Sequence, residues 1–500
     1  MHLIKQLNHN DIKSFFVLLI IFFFHLYFLD LYPVNDEFIF PLGAKLLENL
    51  KVSEIRLFFN YNANTLGFSI LLYFFSKILP FDYYTIGKLL SSGGLLLIYF
   101  GVYALFNKLN LIKFRDKYII ILLILLNPLV FIFSFRSTPD FFSAALSFYS
   151  IVFFLNNRNF FFKLFFIILF SIAVIIKPFN AILILLIFSD FNYQSFFCKK
   201  NIILFIWSLL SFIAPFFYFL YNYNLFNFFL IPKEFNLSSS FNFKDYFISF
   251  VSYIGFFNLF LITLYLDLIK RSLLKNLLKI FIFIFISFIF SFFLMQDVGE
   301  LNFGFIHKYL NPKIYFFIIT LSFLIFCDFL LSLYKIKSSN FDLLNFIFLI
   351  IIFFIIMSNF QPTQRYLLTI LPLSLFFIFI RNGSKFLQIL TIIIYLFMNI
   401  PLVTNHYYTS KNIENVILYL KKNDILYDTH PGFVGQHSLN LFINFDNDIS
   451  VSMDKKILFN EKKKYIITDL EPQNKSDIVF ISKSNNIFKK NKNLYLIKKK

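Results

Sequence analysis

Two adjacent acids, Asp36 and Glu37, stand in "YPVNDEFIFPLG", directly after the first long apolar run of the chain. Further ionisable groups recur at the ends of other apolar runs. They are Arg136 and Asp140 in "FRSTPDFF", Asp297, Glu300, His307 and Lys308 in "QDVGELNFGFIHKYL", and Arg365 in "QPTQRYLL". Charged groups near membrane depth are costly and tend to face a cavity or a partner. Acids and bases gathered on one membrane face suit an anionic, membrane-borne substrate, with Arg136, Arg365, His307 and Lys308 as candidate binding groups. Each residue also has a plainer reading. Asn35 or Asp36 caps a helix over residues 38–50, where an acid near the N-terminus is favourable. Arg136 and Asp140 form an interfacial salt bridge. Arg365 snorkels from a helix end. His307 is a polar loop residue, and the lysine-rich tail is a solvated surface.

The elements that must hold these groups are membrane helices. The 500-residue chain is 59% hydrophobic with only 15% charged residues, and its mean hydropathy is +0.73. A soluble domain carries about 25% charged residues. Runs such as "FFVLLIIFFFHLYFLDLY" and "LLNFIFLIIIFFIIM" recur along most of the length, and a membrane helix needs roughly 20 apolar residues. Short alternating strands, the mark of a membrane β-barrel, are not the pattern. The net charge of +19 reads as cytoplasmic loop lysines plus a basic tail rather than as a nucleic-acid surface. Cys198 and Cys327 show neither metal-ligand spacing nor a disulfide framework. The first apolar run lacks a small-residue cleavage site and reads as a retained helix.

Lys and Arg clusters orient the threading, with the N-terminus inside. Crossings are expected near 13–32, 86–106, 118–135, 141–156, 163–176, 178–190, 201–221, 246–267, 279–295, 314–333, 341–358, 366–380 and 386–403. That is about 13 helices. The short pair 163–176 and 178–190, broken at Lys177-Pro178, also reads as a re-entrant hairpin. The run 65–79 breaks the parity and is expected to lie on, or dip into, the outer leaflet. After residue 403 the composition changes: a helix, then short strand-like runs "KYIITDL" and "DIVFISK", bounded by turn residues. The expected fold is an all-α polytopic membrane protein over residues 1–403, with a first outer loop at 33–85. A small extracytoplasmic α/β domain follows at 404–500.

In order and placement, "NDEFIFPLGAKLL", "RSTPDFFSAALSFYSIVFFL" and "QRYLLTILPLSLFF", followed by an outer C-terminal domain, resemble the GT-C superfamily of membrane glycosyltransferases. The likeness is to the dolichyl- or undecaprenyl-phosphate-sugar mannosyltransferase and aminoarabinose transferase type. The resemblance implies Asp36 as catalytic base, beside Glu37. It implies Arg136 and Asp140 in the second outer loop, and Arg365 with Tyr366 at the carrier phosphate. The family's Lys-Pro-Pro or His-Pro-Pro turn is replaced here by Asn62 and Asn64.

The implied chemistry suits these residue types. A sugar on a polyprenyl phosphate already has a leaving group. The enzyme must deprotonate an acceptor hydroxyl or amine, which a carboxylate does, and stabilise the departing phosphate, which cations do. Asp36 and Asp140 are also candidate oxygen ligands for Mg or Mn. No Gly-rich nucleotide cradle appears on an inside loop, which favours a lipid-linked donor. The expected partners are a polyprenyl-phosphate-linked sugar, a lipid, glycan or protein acceptor, and membrane lipids, at the cytoplasmic membrane. A transporter or flippase of lipid-linked saccharides is the alternative. Its best feature is Lys177 beside Pro178 in a broken helix.

Overall fold

The computed structural model describes residues 9–34, 37, 39–49, 66–108, 117–156, 159–190, 197–226, 281, 285, 364–381, 385–425, 429–431, 464–468, 471–472, 474–483 and 493–498. Asp36, His307, Lys308, Asp297, Glu300 and, apart from residues 281 and 285, the expected crossings between 246 and 358 lie outside the described residues.

The described chain is 80% helical, the architecture that satisfies backbone groups without water. In chain order the helices are α1 (His9–Leu26), α2 (Ile39–Asn49), α3 (Gly67–Ser76), α4 (Tyr83–Lys108), α5 (Lys117–Leu126), α6 (Pro128–Phe133), α7 (Pro139–Asn156), α8 (Phe160–Ile176), α9 (Lys199–Phe226), α10 (Leu371–Arg381) and α11 (Lys385–Lys422). Two 3-10 segments, Pro178–Asp190 and Gln364–Thr369, follow α8 and precede α10. Four described helices are long and apolar enough to cross a membrane: α4, α7, α9 and α11.

Helix α7 is the hub. It is buried along most of its length and packs between α4 and α8. Its serine hydroxyls are satisfied within the helix: Ser143, Ser147 and Ser150 donate to the carbonyls of Asp140, Ala144 and Ser147, the usual back-bonding of serine in a helix. The α4–α7 contact rests on a seven-residue register. A Cβ at Gly94 would come within 2.8 Å of the Phe141 ring, one at Gly101 within 2.7 Å of the Phe148 ring, and one at Gly87 would collide with the Ser137 hydroxyl. Bulky rings on one helix fill notches on the other, the small-residue logic of membrane helix packing. Helix α4 starts on an Asp82 cap, whose carboxylate accepts from the Thr85 N–H at 2.7 Å.

One expected crossing is interrupted, and the run expected at the outer leaflet is a short helix. The run 118–135 is two helices, α5 and α6, because Asn127-Pro128 ends one and begins the next. Asn127 caps α6 through the Leu129 N–H, with Pro128 at its first position. The break is sealed by α11: Asn127 Nδ2 donates to the Tyr395 hydroxyl at 3.2 Å, and Asn399 Nδ2 donates to the Leu126 carbonyl at 2.9 Å. The run 65–79 gives α3, whose ten residues reach about 15 Å. It packs on α2, where Ser69 Oγ donates to the Phe40 carbonyl at 2.9 Å.

Helix α11 runs through residue 403, where the composition changes, and through Pro401. Beyond it lies a four-stranded sheet in the order β1 (Thr429–Pro431), β2 (Tyr465–Thr468), β4 (Leu494–Lys498), β3 (Ile478–Ser482). β1 and β2 are parallel; β4 is antiparallel to β2 and β3. Ile413, Val416, Ile417 and Leu420 of α11 share a buried cluster with Ile467, Leu494 and Leu496 of the sheet and with Val34 from the turn after α1.

Candidate functional site

The turn after α1 is built around a buried lysine. Lys88, in the second turn of α4, donates to the carbonyls of Phe28 and Leu29 at 3.1 and 3.0 Å, and to that of Leu31. These carbonyls lie in the turns that follow the end of α1 at Leu26, where buried backbone acceptors need donors and an ammonium can serve several at once. Beyond them the chain turns at 34–37. The Val34 N–H donates to Glu37 Oε2 at 3.0 Å, and the Glu37 N–H donates back to the Val34 carbonyl at 3.3 Å. Arg136 Nε donates to the other oxygen, Oε1, at 2.8 Å. Glu37 is wholly buried and both oxygens are engaged. Burial by itself would raise its pKa. The facing His406, Arg136 and Lys88, with the Arg136 hydrogen bond, outweigh that and hold it below its ordinary 4.5.

Arg136 stands on the turn between α6 and α7, which α4 ties down. Ser91 Oγ donates to the Thr138 carbonyl and Ser92 Oγ to the Ser134 carbonyl, both at 3.2 Å. From α1, the His25 ring lies 2.6 Å from Ser134 Oγ and 2.6 Å from the Ile21 carbonyl.

Asp140, in the first turn of α7, makes a second centre. Lys177 Nζ donates to its Oδ1 at 2.5 Å, and Arg365 Nε lies 3.9 Å from the same atom. Proline chemistry places the lysine. The residue before a proline is driven out of the helical region, and Lys177, ahead of Pro178, is extended at φ −144°, ψ 102°. Its side chain thereby leaves the α8 cylinder. Asn180 secures both cations. Its Nδ2 donates to the Ala173 carbonyl at 3.3 Å, and its Oδ1 accepts from Thr369 Oγ1 at 2.9 Å, at the far end of the 3-10 segment that carries Arg365. Tyr366 follows Arg365 in that segment. Asp140 Oδ2 is buried and has no hydrogen-bond partner among the described residues, an uncommon state for a carboxylate oxygen.

Of the residues singled out in the sequence, Glu37, Arg136, Asp140 and Arg365 are therefore drawn to two adjoining charge centres. The expected Arg136–Asp140 pairing is exchanged: Arg136 takes Glu37, and Asp140 takes Lys177 and Arg365. Three participants were not picked out as site residues. Lys177 carries a sequence signal, the proline after it, but one that suits a transporter as well. Lys88 is hidden in an apolar helix. His406, with Nε2 3.8 Å from Glu37 Oε1, lies past the composition change. Among the described residues no three His, Cys, Asp or Glu side chains gather as metal ligands.

No family model, no curated protein and no solved structure matches the chain.

Proposed function

We propose that this chain is an integral-membrane glycosyltransferase of the GT-C kind. It would move a sugar from a polyprenyl-phosphate donor to a lipid, glycan or protein acceptor at the outer face of the cytoplasmic membrane. In this reading the chain crosses the bilayer about 13 times, begins inside, and carries residues 404–500 outside. The observation that supports it is the cation surplus around Asp140. Arg136, Lys177 and Arg365 come from three separate elements, each retains partial exposure, and together with buried Lys88 they outnumber the two buried carboxylates. Such a surplus suits a phosphate held next to a carboxylate.

The roles divide by residue type. Asp36 takes the proton of an acceptor hydroxyl or amine as that atom bonds to the anomeric carbon. The carbon–oxygen bond to phosphate breaks, its electron pair leaves with the polyprenyl phosphate, and the configuration inverts. Arg365, Lys177 and Arg136 receive the departing phosphate, with Tyr366 beside Arg365, and His307 and Lys308 lend further contacts. Asp140 Oδ2 accepts a sugar hydroxyl. Glu37 holds Arg136 in place. Mg or Mn between Asp36 and Asp140 would meet the two cations already facing Asp140, so the phosphate is assigned to the basic side chains and no step here uses a metal.

The experiment is sugar transfer in membranes holding wild-type, Asp36→Asn or Arg365→Gln protein, given a panel of radiolabelled polyprenyl-phosphate sugars. Transfer by wild type and its loss in both variants at normal protein level is the expected result. Equal transfer by Asp36→Asn reduces Asp36 to a helix cap. If wild type uses no donor, the proposal fails, and flipping of lipid-linked saccharides is the reading to measure next.

A further inference from the structure

One face of α11 touches three parts of the molecule in succession. Tyr395 and Asn399 seal the α5–α6 break. His406 then meets Glu37, and Ser410 Oγ donates to the Tyr32 carbonyl at 2.7 Å. Ile413, Ile417 and Leu420 close on the sheet. These positions recur at three-, four- and seven-residue steps, the spacing of a single helical face, and all are buried. His406 is the polar member next to a charge. It packs edge-on against Phe135, with ring centroids 5.2 Å apart. Its Nε2 is buried and has no hydrogen-bond partner among the described residues; it lies 3.8 Å from Glu37 Oε1, the oxygen that Arg136 also holds. A buried imidazole nitrogen turned toward a buried carboxylate is an expensive arrangement unless the two act together.

We propose that His406 is a positioning residue. Carried on the helix that bears the C-terminal sheet, it fixes the Glu37 carboxylate against Arg136 and so orders Val34 and Glu37, between which Asp36 falls in the sequence. Its role in transfer rests on the glycosyltransferase reading; its role in ordering the turn does not. The site is then complete only when α11, and the sheet packed on its far end, is seated on the turn.

Two measurements on the full-length protein test this. The first is hydrogen exchange at the Val34 and Glu37 amides in His406→Leu and His406→Gln, with amides of β2 and β4 as reference. His406→Leu should speed exchange in the turn by about tenfold or more, with the sheet unchanged. His406→Gln, which keeps a polar group within reach, should stay within about threefold of wild type. The second is the kcat and KM of transfer. His406→Leu should lower kcat about tenfold or more with donor KM within about threefold, and His406→Gln should recover most of it. Wild-type exchange in the turn of His406→Leu overturns the proposal. So does loss of sheet protection along with the turn, which marks His406 as general packing. If His406→Leu does not fold, His406→Asn replaces it: its shorter amide falls short of Glu37 where Gln reaches, and equal behaviour of Asn and Gln overturns the proposal. A wild type that transfers nothing sinks the glycosyltransferase reading alone, because the exchange comparison still decides on His406.

Discussion

Glu37 and Asp140 are both buried carboxylates facing cations beside helix ends, but their second oxygens differ. At Glu37, one oxygen takes Arg136 and the other the Val34 N–H. At Asp140, Oδ1 gathers Lys177 and Arg365 while Oδ2 has no hydrogen-bond partner among the described residues. The first centre is closed and holds a turn in shape. The second is open on one oxygen and is lined by cations that keep some exposure. The same residue types thus serve architecture in one place and offer a binding position in the other. What separates them is the count of satisfied lone pairs, not the charge.

The largest expected effect breaks the closed centre. Arg136→Met leaves Glu37 buried and without its charged hydrogen-bond partner, and should cost about 3–5 kcal/mol in detergent unfolding. A loss below about 1 kcal/mol, the level of an exposed pair, would show that Glu37 is not sealed. The next acts on the open centre. Asp140→Asn should cut transfer by about 10²–10³-fold while the unfolding midpoint moves less than in Arg136→Met. Wild-type turnover would reduce Asp140 to a tether for Lys177. Smaller still is the scaffold beneath both. Gly94→Ala and Gly101→Ala drive a methyl into the Phe141 and Phe148 rings and should each cost about 1–3 kcal/mol. Gly93→Ala, with nothing within 4 Å, should leave stability equal or slightly raised. Equal loss in all three would mean that ring packing is not what sets the α4–α7 distance.

The smallest effect is a pH dependence. The folded pKa of Glu37 lies below its ordinary 4.5. Its contribution to stability is therefore complete above that pH and fades as pH falls through the folded value. Unfolding midpoints scanned downward from pH 6 should show a step in wild type that is missing in Glu37→Gln. An identical step in both would assign it to another carboxylate.

The legible part of this site was the part in which charge interrupts an apolar run. Glu37, Arg136, Asp140 and Arg365 all stand at such interruptions, which is why they could be found without coordinates. Their pairing could not, because which cation meets which acid depends on how α7, the 3-10 segments and the 34–37 turn pack. Lys177 had a visible signal, the proline after it, but the extended backbone which that proline imposes points to Asp140 only in three dimensions. Lys88 had no local signal, since its partners are backbone carbonyls 57–60 residues away. The Asn127-Pro128 break was written in the chain as a turn dipeptide and was masked by the apolar residues around it. The glycines 87, 94 and 101 were likewise legible as a seven-residue repeat of small side chains; what they accept, the Phe141 and Phe148 rings, was not.

Helix α11 also behaves as a screw. Each residue along it turns the next by about 100° and advances it about 1.5 Å. The latch at Tyr395 and Asn399 fixes its phase at one end. Removing or adding a single residue between Asn399 and His406 would keep every side chain downstream yet swing His406, Ser410 and the sheet-facing stripe to another side of the rod. Seven residues added would restore the phase and only raise the sheet by about 10 Å. Along this rod, the distance between the sheet and the 34–37 turn is adjustable only in steps that preserve angle.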